Sequence, residues 1–195
     1  MQETKTMDLR QAVWLDFRLA VLFTVIAPLI LLGWTFQVKS NPIWRSLVIY
    51  WRVSSLLAIS VYLLIAANPL AYLTGWLARI LIPVGLWFWK DINDAVDILP
   101  GKLAFAYRAW RWAMAFYCAI GTVFGLQFLP CVVGRQPACT VLAEVPLAFK
   151  ELLHRGVPVN TLGFWGILGL AVYVLYFGVF LTVGLPRTGR FALRG

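Results

Sequence analysis

The sequence predicts an all-α integral membrane protein, a helical bundle with about five transmembrane helices and short interfacial helices. Of its 195 residues, 62% are hydrophobic and 13% are charged, against about 45–50% and 25% in soluble domains. Four stretches contain no charged residue and reach the length of about 20 apolar residues that a membrane helix needs. This composition excludes a soluble globular protein, a disordered tail and a disulfide-stapled secreted fold, because one small core cannot bury so much apolar surface.

The five spans follow from the charge-free stretches and from one turn signal. Residues 53–78 lack charge, but Asn68-Pro69 interrupts them and favours a turn, after which the apolar sequence resumes with the single charge of Arg79. We prefer a tight hairpin of two helices, because one helix kinked at the proline would leave residues 80–89 too short to span. A single transmembrane domain, 1–195, thus has predicted spans at 19–38, 46–67, 70–89, 111–131 and 160–185.

Two further segments have the pattern of helices that lie at the membrane surface. Residues 7–18 place apolar side chains on one helical face, which predicts a short interfacial helix leading into the first span. Residues 146–155 repeat this design, and Pro146 suits a first helical turn. Pro28 and Pro83 lie inside spans, where neighbouring helices can satisfy the carbonyls that a proline frees.

The distribution of Lys and Arg predicts how the protein is oriented. Five spans place the termini on opposite sides, and ten cations on the C-terminal side face six on the N-terminal side. The positive-inside rule therefore predicts an N-terminus outside and a C-terminus in the cytoplasm. Because the net charge of +9 gathers at span ends, it indicates contact with membrane lipids and not with nucleic acid. The six cations are Lys5, Arg10, Arg18, Arg135, Lys150 and Arg155, and the ten are Lys39, Arg45, Arg52, Lys90, Lys102, Arg108, Arg111, Arg187, Arg190 and Arg194.

Two of the three cysteines fall in the loop that this topology exports. Cys131 and Cys139 are close enough in sequence to form a disulfide there, because disulfides persist outside the cytoplasm. Two free thiols are the alternative that the sequence leaves open. Cys118 lies within the fourth span, where it is expected to pack as a small residue.

The sequence contains no complete catalytic or cofactor-binding constellation. Its single histidine, His154, excludes a bis-His haem, and no GxSxG, Walker or GxGxxG motif occurs. We therefore expect a protein that is not an enzyme and needs no cofactor.

The enzyme alternative rests on three aspartates in the loop after the third span. Asp91, Asp94 and Asp97 share one side of a helix, and such a set can chelate Mg²⁺ and a diphosphate. Asn93-Asp94-x-x-Asp97 also resembles the start of the acidic motif of intramembrane prenyltransferases. Those enzymes need a second acidic motif, and here the five remaining acids lie on the opposite side of the membrane in the predicted topology.

Arg79 is the main candidate for function, because it lies about 15 Å from either end of its span at 1.5 Å per residue. A central arginine costs about 2.5–3.5 kcal/mol, and no acid within a predicted span neutralises it. A backbone carbonyl, an anionic lipid or ligand, or another protein would supply its partner. Further candidates for lipid or partner contact are Arg52, Lys102, Arg108, Trp110, Arg111 and Trp112.

Glycines in the last two spans predict close helix packing. Gly121 and Gly125 recur in the fourth span, and Gly163, Gly166 and Gly169 recur in the fifth. Residues at these spacings form flat strips on which helix backbones approach each other.

Several sequence segments are similar to those of a known protein family, and the similarity extends along nearly the whole chain. These segments are LDFRLAVLF at 15–23, VIYWRV at 48–53, TGWLARILIP at 74–83 and LWFW at 86–89. They resemble a family of uncharacterised multi-spanning proteins of cyanobacteria with chains of this length. The resemblance implies a thylakoid or plasma membrane and an auxiliary role around photosynthetic or respiratory complexes.

Two non-catalytic functions remain open at this point. The first is an accessory or assembly subunit that docks to another membrane complex or binds anionic lipid. The second is a small anion transporter or channel that uses Arg79 as its binding charge.

Overall fold

The computed structural model describes residues 2–134 and 136–191, and the regular structure of these residues is helical, with no strand. Five helical segments among them are long and apolar enough to cross a membrane, as the sequence predicts. The chain is therefore a multi-spanning helical membrane protein. The five segments are Met7–Val38, Asn41–Ile65, Leu70–Phe88, Lys102–Val132 and Val159–Gly184.

Residues 7–18, predicted as a short interfacial helix leading into the first span, are helical and continue into that span without a break. Helix α1 (Gln2–Ala20) passes through a π-helical turn (Val21–Ile26) directly into α2 (Ala27–Val38). The apolar face of the 7–18 segment packs against a neighbouring helix and does not need the membrane surface to cover it.

The π-helical turn precedes Pro28, which has no N–H to donate to the preceding turn of helix. Two side chains from other helices donate to carbonyls of this turn. The Tyr50 hydroxyl donates to the Thr24 carbonyl at 2.7 Å, and the Trp110 Nε1–H donates to the Phe23 carbonyl at 2.9 Å. Neighbouring helices thus satisfy the backbone near the proline, as predicted.

The predicted hairpin at Asn68-Pro69 is present. It joins α3 (Asn41–Ile65) to α4 (Leu70–Phe88), and the Asn68 side-chain oxygen accepts a hydrogen bond from the Leu70 N–H at 3.0 Å. This bond fixes the turn locally, because it supplies an acceptor for an N–H at the start of α4.

The short helix α5 (Lys90–Asp97) lies at one end of the bundle, which we call the basic end. It leads through a turn into α6 (Lys102–Gly125). Ile92 and Val96 of α5 are buried in the main core cluster. This core therefore extends to the basic end and holds α5 against the spans.

The opposite end, here the disulfide end, contains a 3₁₀ segment (Leu126–Val132) and α7 (Pro137–Leu153). Helix α7 begins well before the predicted start at Pro146, which lies buried inside the helix. Pro137 occupies the first turn instead, where a missing N–H costs nothing. The predicted interfacial segment is thus the second half of a longer helix that packs on α1.

The last span packs on α3. It consists of α8 (Val159–Val179) and a π-helical turn (Phe180–Gly184), followed by the single turn α9 (Leu185–Thr188). The side chains of Lys5, Arg135, Arg187 and Arg194, which were counted for orientation, lie outside the described part of the chain.

Candidate functional site

The centre of the bundle contains an ion pair between the first and third spans. Arg79 Nη2 contacts the Asp16 carboxylate, and Arg79 Nη1 donates to the Gly121 carbonyl at 2.8 Å. The Tyr117 hydroxyl donates to Asp16 Oδ1 at 3.1 Å. The side chains of Arg79 and Asp16 are only 15% and 16% exposed. Such shielding strengthens the attraction between the two charges.

The prediction that Arg79 lacks an acidic partner is wrong. Sequence reasoning assigned Asp16 to a surface helix, whereas the continuous first helix brings it to Arg79, at the midpoint of α4. Asp16 and Tyr117 are the residues of the candidate site that sequence reasoning missed. The apolar residues Leu15 and Phe17 on either side of Asp16 are the signal that the span begins earlier.

Glycines of α6 make room for two long side chains of α4. A Cβ atom on Gly121 would lie 3.1 Å from Arg79 Cδ, and one on Gly125 would lie 3.1 Å from Trp76 Cδ1. Trp76 also donates its Nε1–H to the Thr122 carbonyl at 3.1 Å. The glycines of α6 therefore allow close helix packing, as predicted, and also leave space for the Arg79 side chain.

Three of the four glycines of α8, Gly163, Gly166 and Gly169, face α3. A Cβ atom on Gly163 would lie 2.6 Å from the Cβ atom of Ala66, which directly follows α3. Cβ atoms on Gly166 and Gly169 would lie 3.1 Å and 3.3 Å from the nearest side-chain atoms of α3. Larger residues would force the two helices apart. The side chains that these glycines meet belong to Ala66, Leu63 and Ile59.

A cavity of about 450 Å³, here the inner cavity, lies beside the ion pair between the first span, α3 and α4. Asp16 and Arg79 form part of its otherwise largely apolar wall. Trp51 lines it too, and the Trp51 Nε1–H is buried without a hydrogen-bond partner among the described residues. Val25 and Ala58 also line the inner cavity and are exposed, so they mark its mouth.

Arg111, a predicted contact for lipid or a partner, is only 2% exposed and is used inside the chain. Its Nη1 donates to Asn93 Oδ1 at 2.6 Å, and its Nη2 donates to Asp97 Oδ1 at 3.1 Å. The guanidinium carbon lies 4.1 Å from the centroid of the Trp87 ring. Arg111 therefore fastens α5 to the spans through charged hydrogen bonds and a cation–π contact, and does not face lipid.

Two other predicted contacts at the basic end are likewise used inside the chain. Arg108 Nη1 donates to the Asp97 carbonyl at 2.9 Å, which satisfies the C-terminal end of α5. Trp110 is buried and bonds to the first span, as described above. Lys102 and Trp112 are exposed, so they stay candidates for contact with lipid or a partner.

The three aspartates of α5 do not converge on a metal site. Asp97 is paired with Arg111, the Asp91 carboxylate accepts a hydrogen bond from the Ile92 N–H, and Asp94 is exposed. Among the residues described, no three His, Cys, Asp or Glu side chains are arranged to hold a metal ion. The described residues thus contain no acidic cluster of the kind that the prenyltransferase-like alternative requires.

A family model described as "Protein of unknown function (DUF3177)" matches residues 10–193. The chain belongs to the DUF3177 family. The match covers Asp16, Arg79 and Tyr117, so the ion pair lies within the family's domain. Among curated proteins and solved structures, nothing matches the chain.

The disulfide end of this DUF3177 protein is held by covalent and ionic contacts. Cys131 and Cys139 form a disulfide with Cα atoms 5.8 Å apart, and Cys118 is buried as a free thiol. Lys150 Nζ lies 2.8 Å from Glu151 Oε1, and this hydrogen bond lowers the pKa of the Glu151 carboxyl. Arg10 is also paired with Glu144 at 2.8 Å, which ties α1 to α7.

Proposed function

We propose that this DUF3177 protein is a non-catalytic accessory subunit of a membrane-protein complex, and that it holds one lipid-soluble ligand in the inner cavity. The observation that carries the proposal is the cavity itself, with its volume of about 450 Å³ and its apolar wall beside the Asp16–Arg79 pair. Binding sites for small molecules are typically concave and apolar, with a few polar groups that fix the ligand's orientation.

The charge at the cavity wall favours an uncharged or zwitterionic amphiphile over a free anion. Asp16 balances the charge of Arg79, so the pair presents a strong dipole and little net charge. The buried Trp51 Nε1–H adds a hydrogen-bond donor in the same wall. This arrangement weakens the anion-transport alternative, which requires Arg79 as an unpaired positive charge.

The partner and the location belong to the same proposal. We place the protein in a thylakoid or plasma membrane with its N-terminus outside, and expect it to associate with another integral membrane complex. The family resemblance and the excess of cations at the basic end support this placement. Lys102 and Trp112 would lie at the edge that such a complex or anionic lipid approaches.

Native mass spectrometry of protein purified in mild detergent tests the proposal. The wild type should carry a bound amphiphile of constant mass, together with a stoichiometric membrane partner. Ala58→Trp should displace the amphiphile, because the indole would fill the mouth of the inner cavity. Ala171→Trp is the matched control, since Ala171 is also exposed but lies on α8, away from the inner cavity.

Two results would contradict the proposal. One is a wild-type protein that emerges as a clean monomer without ligand. The other is an Ala58→Trp variant that retains the amphiphile to the same extent as Ala171→Trp.

A further inference from the structure

A second, smaller groove of about 180 Å³, here the outer groove, lies between α3, α4 and the last span near the basic end. Phe177 and Phe180 form an aromatic wall, with ring centroids 6.4 Å apart. No residue lines both the outer groove and the inner cavity. The outer groove is large enough for part of one acyl chain.

Arg52 stands at the edge of the outer groove with its guanidinium exposed. Its Nη1 donates to the Tyr176 hydroxyl at 3.3 Å. Within the described part of the chain, no carboxylate lies within salt-bridge distance of Arg52. Its positive charge is thus held beside an apolar surface without a carboxylate partner among the described residues.

Two further cations lie at the basic end of the outer groove. Arg190 Nε donates to the carbonyl of Phe88, which lines the groove, and the Arg190 guanidinium carbon lies 5.4 Å from the centroid of the Phe88 ring. The Lys90 N–H donates to the Arg190 carbonyl at 3.1 Å, and the Lys90 residue is exposed. An apolar groove bordered by cations at one end complements an anionic amphiphile whose headgroup lies at that end.

Tyr173 supplies an independent sign of a ligand. It lines the outer groove and is only 8% exposed, yet its hydroxyl is buried without a hydrogen-bond partner among the described residues. Buried hydroxyl groups are nearly always satisfied. An ester carbonyl at the glycerol level of a bound lipid would supply the missing acceptor.

We propose that the outer groove binds one anionic phospholipid, with an acyl chain along the aromatic wall and its phosphate group at Arg52. The headgroup charge would be shared with Arg190 and Lys90. The site is distinct from the inner cavity and its ligand, so either proposal can fail without the other.

The test uses delipidated protein in detergent, titrated with phosphatidylglycerol or with phosphatidylcholine of identical acyl chains and followed by native mass spectrometry. We expect phosphatidylglycerol to bind about tenfold more tightly, because its headgroup keeps a net negative charge beside the cations of the groove, whereas the choline cation of phosphatidylcholine cancels that charge. Arg52→Gln should reduce this preference several-fold, because Arg190 and Lys90 remain. Lys39→Gln removes one exposed cation from the same end of the protein but from outside the groove, and should leave the preference intact.

Tyr173→Phe separates a lipid site from a merely charged surface. If a lipid satisfies the Tyr173 hydroxyl, this variant should bind phosphatidylglycerol several-fold more weakly while the protein stays folded. Inorganic phosphate should not displace the lipid, because the acyl chain contributes to binding. The proposal is overturned if both lipids bind equally, if Arg52→Gln and Lys39→Gln behave alike, if Tyr173→Phe binds as the wild type does, or if phosphate competes.

Discussion

At the scale of single residues, we expect the buried charges of Arg79 and Asp16 to stabilise each other. Asp16→Asn would leave the Arg79 guanidinium charged and only 15% exposed, without its counterion. Removing one partner of a buried pair costs about 3–5 kcal/mol, so the free energy of unfolding in detergent should fall by that order. Asp16→Asn combined with Arg79→Gln should recover much of the loss.

Asp8→Asn is the matched control, because Asp8 lies on the same helix but is exposed. Denaturant unfolding of the wild type, Asp16→Asn, Arg79→Gln and the double variant gives the coupling energy of the pair. A double variant that is as unstable as the sum of its single changes would show that the two charges do not depend on each other.

The candidate site could be predicted only in part, because its two charges come from distant segments of the sequence. Arg79 stands out, since a charge at the centre of a span is costly. Asp16 does not, because a charge near the start of an apolar stretch is normally assigned to the membrane surface. Similarly, the Arg and Trp residues at the start of α6 have the composition of an interfacial belt, yet Arg111 and Trp110 face inward.

At the scale of elements, α8 depends on small residues where it crosses α3. Gly163→Ala places a methyl group 2.6 Å from Ala66 Cβ, so the two helices must separate. Overpacking of this kind costs about 1–3 kcal/mol, and thermal unfolding in detergent should begin at a lower temperature.

Gly178→Ala provides the control on the same helix, since no atom lies within 4 Å of a Cβ atom there. This change should be neutral or stabilising, because alanine favours helix more than glycine does. Equal stability of the Gly163→Ala and Gly178→Ala variants would contradict the packing described for α8.

The helices that local signals define were predicted best. Asn68-Pro69 marks the α3–α4 hairpin, and long apolar runs mark the spans. The helix of the first span begins earlier than predicted, because the segment before the apolar run is also helical. This segment, α1, packs on α7. The sequence predicts a helix start at Pro146, whereas Pro137 lies in the first turn of α7 and Pro146 lies buried inside the helix.

At the scale of the whole molecule, the two ends differ in chemistry in the way that the predicted orientation requires. The disulfide end holds a bonded cysteine pair, and such pairs persist outside the cytoplasm. The basic end holds α5 and the exposed cations Lys90 and Lys102, which the positive-inside rule assigns to the cytoplasm. The two indications are independent, and both favour an exported disulfide end.

Thiol labelling tests this orientation, because the native protein offers little background. Cys118 is buried and Cys131 and Cys139 are bonded to each other, so a membrane-impermeant maleimide should leave the wild type unlabelled. In right-side-out vesicles, Arg155→Cys at the disulfide end should react, whereas Asp94→Cys at the basic end should react only after permeabilisation. Both positions are exposed, so a difference in labelling reports the side of the membrane. The reverse pattern would invert the topology and would place the disulfide in a reducing compartment, where it would not persist.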